Sequence, residues 1–315
     1  TNNIASGNSS LTNNTTGSNN VASGKSSLSA NTEGDYNIAI GYQSLMSNTT
    51  ADRNIAIGKE ALKLNTTGTR NIAIGADAYN NADTENDNIA IGYDALGGAI
   101  NGGENNVAIG SYALLTNTTG DANTATGYNA LKVNTTGNYN TAFGAYGLSN
   151  HIDGHNNTAL GHSALIQSTT AASNIGIGYQ AGDVITTGSN NVIIGEGSDP
   201  SANNGTNQIV IGQNATGQGD NYAVIGNANV TRVYAAQDGA AVLYADATIV
   251  SSDERLKENI KPLTHGLEFI NKLNPVSYDK MKVSDFLSNK KPKELKFEIG
   301  LLAQEVKEIS EELDF

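Results

Sequence analysis

Large and small side chains alternate in a short block that returns along this chain every 17 residues. In the copy Asn54-Ile55-Ala56-Ile57-Gly58, bulky aliphatics take every second place and small or polar residues fall between them. The block's leading Asn falls at Asn3, Asn20, Asn37, Asn54, Asn71 and Asn88. After one extra residue it resumes at Asn106, Asn123, Asn140, Asn157, Asn174 and Asn191. Gln208 holds the place in the next copy, and Tyr222 opens a shortened one. The Gly four residues later is present in every copy, from Gly7 to Gly226. A fixed short period over this length predicts a solenoid in which each copy is one coil.

Alternation at period two predicts a strand over the block. Ile55 and Ile57 then point one way, and Asn54, Ala56 and Gly58 the other. Ile57, Ile74 and Ile91 are expected to fill the coil's core, leaving the small face open to close approach by another surface. A second short strand is expected over Glu60–Leu64, with Leu62 repeated at Leu45, Leu96, Leu114, Leu131, Leu148 and Leu165. Asn65-Thr66-Thr67-Gly68 supplies turn residues, since Asn and Gly tolerate positive φ and Thr hydroxyls bond turn backbone. Two Gly and a Thr-Thr-Gly per period rule against a helical repeat. The fold class is therefore all-β, a parallel solenoid of 17-residue coils. At ~4.8 Å per coil, thirteen copies make a shaft of roughly 60 Å. Asn stacked on Asn is expected to form a hydrogen-bonded ladder. The core is thin and one small apolar face stays open, which calls for partners, with trimerisation one solution.

The pattern stops near Ala228. Residues 229–250 hold two strand-like runs, Val230–Ala235 and Ala241–Val250, and read as a β neck. Residues 251–315 have a different chemistry. They carry 11 basic and 13 acidic residues, whereas residues 1–250 carry 7 and 18, a net charge of −11. Leu263, Leu267, Ile270 and Leu273 keep helical spacing and stop at Asn274-Pro275. Phe297, Ile299 and Leu301 alternate as a strand, and Leu302, Val306, Ile309 and Leu313 form a second amphipathic helix. The tail reads as a small α+β unit. The predicted organisation is a shaft over 1–228, a neck over 229–250 and a tail over 251–315.

Charge and composition narrow the function. An acidic body without a basic stripe argues against nucleic acid and against docking on an anionic membrane. No apolar run approaches the ~20 residues of a membrane span. With no Cys, disulfide and thiol chemistry are excluded. Neither a cofactor nor a metal is expected. Thr1 is an unusual start, and the sequence is expected to be a piece of a longer chain.

Two resemblances carry the functional reading. The Asn-x-x-Ile-Gly copies resemble the heads of trimeric autotransporter adhesins, and similar repeats occur in phage tail fibres. That resemblance implies a left-handed parallel β-roll with three chains per head. Ser252-Asp253-Glu254-Arg255-Leu256-Lys257-Glu258-Asn259-Ile260 resembles the opening signature of the intramolecular chaperone of endosialidase family. Leu273-Asn274-Pro275-Val276-Ser277-Tyr278 and Ile299-Gly300-Leu301-Leu302-Ala303-Gln304-Glu305-Val306 resemble its later segments, in the same order. The family usually continues past the last of these.

The second resemblance implies self-cleavage beside Ser252, with Lys257 as the base and Ser251, Asp253 and Arg255 around the scissile bond. A desolvated Lys with a depressed pKa can take the proton of a Ser hydroxyl. By themselves, Ser and Lys at this spacing are common and more often mark an exposed helix start. The scissile bond, Ser251–Ser252 or Ser252–Asp253, stays open. The expected function is a homotrimeric phage tail fibre or adhesion shaft that contacts a host cell-surface receptor such as a glycan. It would sit in the virion or at the cell surface, with its C-terminal trimerisation chaperone removed by autoproteolysis. The alternatives are a polysaccharide-degrading tailspike enzyme and a bacterial surface adhesin carrying the same chaperone.

Other clusters take plainer readings. His151, His155 and His162 are expected at the surface rather than on a metal. Asp83-Thr84-Glu85-Asn86-Asp87 is expected to be a solvated turn rather than a calcium loop. Tyr42, Tyr93, Tyr128 and Tyr179, each following the repeat's Gly, are expected to be half-buried packing residues. No pair of carboxylates recurs along the shaft as glycoside hydrolysis would need.

Overall fold

A computed structural model describes residues 2–98, 102–233, 266–273, 275–280, 296–300 and 308. The chain divides into two compact units, Thr1–Thr231 and Arg232–Phe315.

In the first unit, among the described residues, fourteen three-residue strands run from Ile4–Ser6 to Ala223–Ile225. They form one parallel sheet in which each strand pairs only with its neighbours in sequence. Ile55 pairs with Ile72, Ala56 with Ala73 and Ile57 with Ile74. The extra residue between Asn88 and Asn106 leaves this register intact, because Ile89 still pairs with Val107. The last coil is shortened, with Ile209 opposite Ala223. This is a β-solenoid of 17-residue coils, as the periodicity requires.

The faces of the strand are reversed from the expectation. Ala56, Ala73 and Ala90 are fully buried, whereas Ile57 and Ile74 are each 36% exposed. Ile91 is only partly covered. Small residues and one Leu close the coil: Ala56 from the strand faces Ala61 and Leu62 of the opposite wall, all fully buried, and Ser27, Ser44 or Gly147 takes the place of Ala61 in other coils. The interior is too thin to hold a row of Ile. The surface that approaches the small face is the coil's own far wall.

Glu60–Leu64 is a turn and not a second strand. Glu60 and Leu62 both have left-handed backbones, with φ of 58° and 50°. Alternating left-handed residues abolish the pleat, so no strand can form there. The wall still bonds between coils, because the N–H groups of Leu62 and Leu64 donate to the carbonyls of Ala78 and Asn80 at 3.1 Å. Leu62 keeps its predicted place in the core.

Asn side chains join the coils along the interior. Asn54 Oδ1 accepts the backbone N–H of Asn71 at 2.9 Å, and Asn54 Nδ2 donates to the carbonyl of Gly68 at 2.8 Å. Equivalent bonds recur from Asn20 to Asn191, all with buried side chains. A second ladder runs through the turn. Asn48 Nδ2 donates to Asn31 Oδ1 at 2.8 Å and to the Ala51 carbonyl at 3.1 Å. Thr hydroxyls extend the bonding outward, with Thr118 Oγ1 donating to the Thr135 carbonyl at 2.8 Å. The invariant Gly closes the strand at positive φ, 140° at Gly58. A Cβ there would overlap the carbonyl oxygen of Gly75 in the next coil. Both constraints require Gly.

In the second unit, a helix spans Gly266–Lys272. Strands Val276–Lys280 and Lys296–Gly300 pair antiparallel, with Val276 opposite Gly300. These follow the expected helix, the strand after Pro275 and the Phe297/Ile299 strand. Residues 230–233, the described part of the first neck run, form no strand; the rest of the neck runs and most of the second helix lie outside the described residues.

Asn71→Ala tests the interior ladder. It strips partners from the Asn88 N–H and the Glu85 carbonyl. Two buried backbone groups left unsatisfied cost about 1–3 kcal/mol each. Urea unfolding should show that loss, while exposed Asn204→Ala, at a position without left-handed backbone, should leave the midpoint unchanged.

Candidate functional site

Reversal of the strand faces produces the largest uncovered feature of the shaft. The side chains at both ends of each strand point outward and stack in register. Ile40, Ile57, Ile74 and Ile109 are all exposed, and Ile38, Ile55 and Ile72 beside them are only partly covered. In the middle coils the ridge changes character, with Thr124 and Thr126 on one strand and Thr141 and Phe143 on the next. It returns to aliphatic at Ile175 and Ile177. A ridge of this length exceeds the scattered apolar residues of an ordinary surface.

A second stripe starts just past the strand, where the chain bends at the invariant Gly. Tyr93, Tyr112, Tyr128, Tyr146, His162 and Tyr179 come one from each of six successive coils. Ring centroids of successive members lie 5.4 to 6.1 Å apart. The four contacts from Tyr93 to His162 are edge-to-face, and His162 stacks on Tyr179 with 22° between planes. Tyr93, Tyr128 and Tyr179 are 45–51% exposed, more open than half-buried packing predicts. Tyr112 and Tyr146 sit partly covered between them. Sequence reading found only the rings directly after the Gly. Tyr112 and Tyr146 are displaced by one residue, so the stripe becomes visible only when coils are stacked.

Two irregular coils interrupt the turn ladder. His151 occupies a ladder-Asn position and is fully buried, contrary to the surface reading, while His155 and His162 are exposed. Its Nε2 bonds the Gly154 carbonyl at 2.8 Å, and its Nδ1 pairs with Ser168 Oγ at 3.1 Å. Asn134, one coil earlier, is left with a buried Oδ1 that has no partner. Burial holds the His151 imidazole below its usual pKa, against the opposing pull of the Gly154 carbonyl and Asp153.

The other break lies at Ala82, again a ladder position, and it orphans Asn65 Oδ1. Here the acidic run is not a wholly solvated turn. Glu85 is buried, its carboxylate accepting from the N–H groups of Asp83, Thr84 and Gly102 at 3.0–3.1 Å. Tyr79 replaces the core Leu, and Asn88 Nδ2 donates to its Oη at 2.7 Å. Burial, reinforced by the Glu85 charge, pushes the Tyr79 phenol well up. Asp87 stays outside and pairs with Arg70 at 2.6 Å.

Among the described residues no group of three or more His, Cys, Asp or Glu comes together as a metal site. No described helix is long and apolar enough to cross a membrane. Ser251, Ser252, Asp253, Arg255 and Lys257 lie outside the described residues.

Two buried titrations should shape the pH dependence of shaft stability in opposite directions. His151 has a depressed folded pKa, so the unfolded chain binds the extra proton. Its contribution is intact above about pH 6.5 and is lost as pH falls through the lower folded value. Asp199 is raised to about 6 by burial and then by the Asp183 charge, against the Val184 N–H. Its contribution is complete below the unfolded value of 3.8 and is lost as pH rises through about 6. His151→Asn should flatten the acid limb of a melting-temperature profile and give Asn134 Oδ1 a partner. Asp199→Asn should raise the melting temperature at pH 7 more than at pH 4.

No curated protein matches the sequence. Residues 252–314, the segment that opens with Ser252-Asp253-Glu254-Arg255, match the model of the family described as chaperone of endosialidase, so the β-solenoid is followed by a chaperone-of-endosialidase domain.

Proposed function

We propose that three copies of this chain assemble into the shaft of a phage tail fibre or similar host-attachment rod. The C-terminal domain sets the three chains in register and is then cut off. The observation that carries the reading is the outward ridge, aliphatic in most coils, in a chain whose residues 252–314 match the chaperone of endosialidase family. Covering the ridge with two further copies removes it from water at roughly 25 cal/mol per Å². Runs of successive coils such as those of Ile40, Ile57, Ile74 and Ile91 present the same ridge, so over them a partner shifted by one coil fits almost as well as one in register. Local contacts cannot reject that slip, and an external clamp at one end can.

Removal of the clamp would use Ser252 and Lys257. Lys257, as the neutral amine, takes the proton of Ser252 Oγ while the oxygen attacks the Ser251 carbonyl through a five-membered ring. The C–N bond breaks, the proton passes to the leaving amine, and an ester joins Ser251 to Ser252 Oγ. Water then hydrolyses the ester and frees the tail with Ser252 at its N-terminus. Asp253 and Arg255 orient the segment. Cleavage of Ser252–Asp253 is the competing choice, read directly from the released N-terminus.

The domain limits of this reading are a shaft over 1–228, a neck over 229–250 and a chaperone from 251. The partners are two further copies of the chain and a receptor outside the cell, which places the protein in the virion or at the cell surface.

Expression with the complete natural C-terminus should yield two fragments by mass, the tail beginning within one residue of Ser252. Ser252→Ala and Lys257→Ala should each leave one uncut chain that still sediments as a trimer. Normal cutting in Lys257→Ala would remove the dyad from the mechanism. A second measurement addresses the ridge. Ile57→Asp with Ile74→Asp should abolish the trimer, because buried unpaired carboxylates cost several kcal/mol. A stable, soluble monomer of wild-type residues 1–250 would overturn trimerisation.

A further inference from the structure

We propose that the aromatic stripe from Tyr93 to Tyr179 binds a neutral, extended glycan. This rests on the reading of the shaft as a host-attachment rod and names the ligand and the place where it binds.

The geometry of the stripe supplies the argument. Solenoid stacking delivers one ring per coil, with centroids 5.4 to 6.1 Å apart, close to the length of one pyranose unit. The rings are not equivalent. Tyr93, Tyr128, His162 and Tyr179 follow the Gly directly and are exposed; the first three lie two coils apart, at a spacing of roughly 10 Å, and Tyr179 lies in the coil next to His162. Tyr112 and Tyr146 are partly covered and meet the first three edge-on, which fixes those rings in place. A ligand laid along the stripe therefore meets four open aromatic platforms, at Tyr93, Tyr128, His162 and Tyr179. Tyr combines an apolar ring, which stacks on the C–H face of a pyranose, with a hydroxyl that bonds its rim. Holding the rings in advance removes most of the ordering cost that a flexible site incurs on binding.

Charge selects the kind of glycan. Residues 1–250 carry a net charge of −11. Near the stripe lie Asp77 and Asp94, with Lys132 set over the Tyr112 ring at 5.9 Å. Asp94 is pushed up by burial and then by Asp77, as expected where anionic charge is already crowded. On so acidic a body a polyanionic chain such as a sialic acid polymer meets net repulsion. A neutral chain does not. The stripe also lies beyond the bend at Gly, off the three-residue strands that carry the aliphatic ridge. Tyr36 and Tyr139 are 56% and 65% exposed and belong to no ring contact in the stripe, which makes them controls.

The test uses the full chain as purified trimer on an array of neutral α- and β-linked hexose and N-acetylhexosamine chains, with polysialic acid as the anionic arm. The chain has 13 Tyr and no Trp, so tyrosine fluorescence reports occupancy directly. Expected is binding to a neutral chain, tightening from disaccharide to hexasaccharide. Tyr93→Ser with Tyr128→Ser should weaken it at least tenfold, and Tyr36→Ser with Tyr139→Ser should leave it unchanged. Four results would each overturn the proposal: no neutral chain binds; polysialic acid binds as well; the stripe variants bind like wild type; or the stripe variants dissociate the trimer, which would make the rings a seam between copies. Tail release is scored on the same samples. Glycan binding with an uncut tail supports the stripe and retires self-cleavage. A cut tail without glycan binding retires the stripe and leaves the assembly reading standing.

Discussion

The amide of one buried Asn per coil is the interaction on which the shaft depends. Both ends of that amide are used between coils: Oδ1 takes the N–H that opens the next strand, and Nδ2 reaches a carbonyl fourteen residues on. No water enters to take over either bond, because the Asn side chains are fully buried. Asn is the residue that fits. It is short enough for a coil closed by Ala and Leu, and it has one donor end and one acceptor end. The thinness of the coil follows from the same geometry. Small residues face inward because the far wall is close, and large ones face outward because nothing inside can receive them.

The outward ridge is thus a product of the interior. A 17-residue coil with two Ala, one Leu and an Asn inside has no room for its two Ile. An isolated coil stack exposes its most apolar residues while burying its amides, the reverse of ordinary globular patterning. Such a surface is tolerable when identical copies cover it. In sequence this surface is followed by residues 252–314, the segment that matches the chaperone of endosialidase family.

Much of this was legible in the sequence because a repeat reports its period directly. The spacing of Asn54, Asn71 and Asn88 gives the coil, its parallel register and the Asn ladder, and Leu62 reads correctly as core. The facing of Ile57 was not legible. Alternation says that Ile57 and Ala56 point opposite ways, and only the width of the coil says which way is in. Glu60–Leu64 reads as a strand because local pattern does not reveal left-handed backbone at Leu62, a conformation that Leu rarely adopts and that the ladder enforces. His151 and Glu85 read as surface residues by type, yet His151 takes the place of a ladder Asn and Glu85 turns its carboxylate onto three backbone N–H groups beside the break at Ala82. The Tyr112 and Tyr146 rings are one residue out of step with the pattern, so they join the stripe only in three dimensions. Ser252 and Lys257 are carried by motif alone.

The coils tolerate departures from their own period. One extra residue before Asn106 is absorbed in the turn without disturbing the pairing of Ile89 with Val107, and the final coil closes with three residues fewer. Each strand edge consequently offers the same template to whatever follows it. Recombination between two repeats in the gene, deleting or duplicating a whole number of coils, yields ends that still match. Shaft length is then a heritable quantity that can change by whole coils between lineages while the interior chemistry stays fixed.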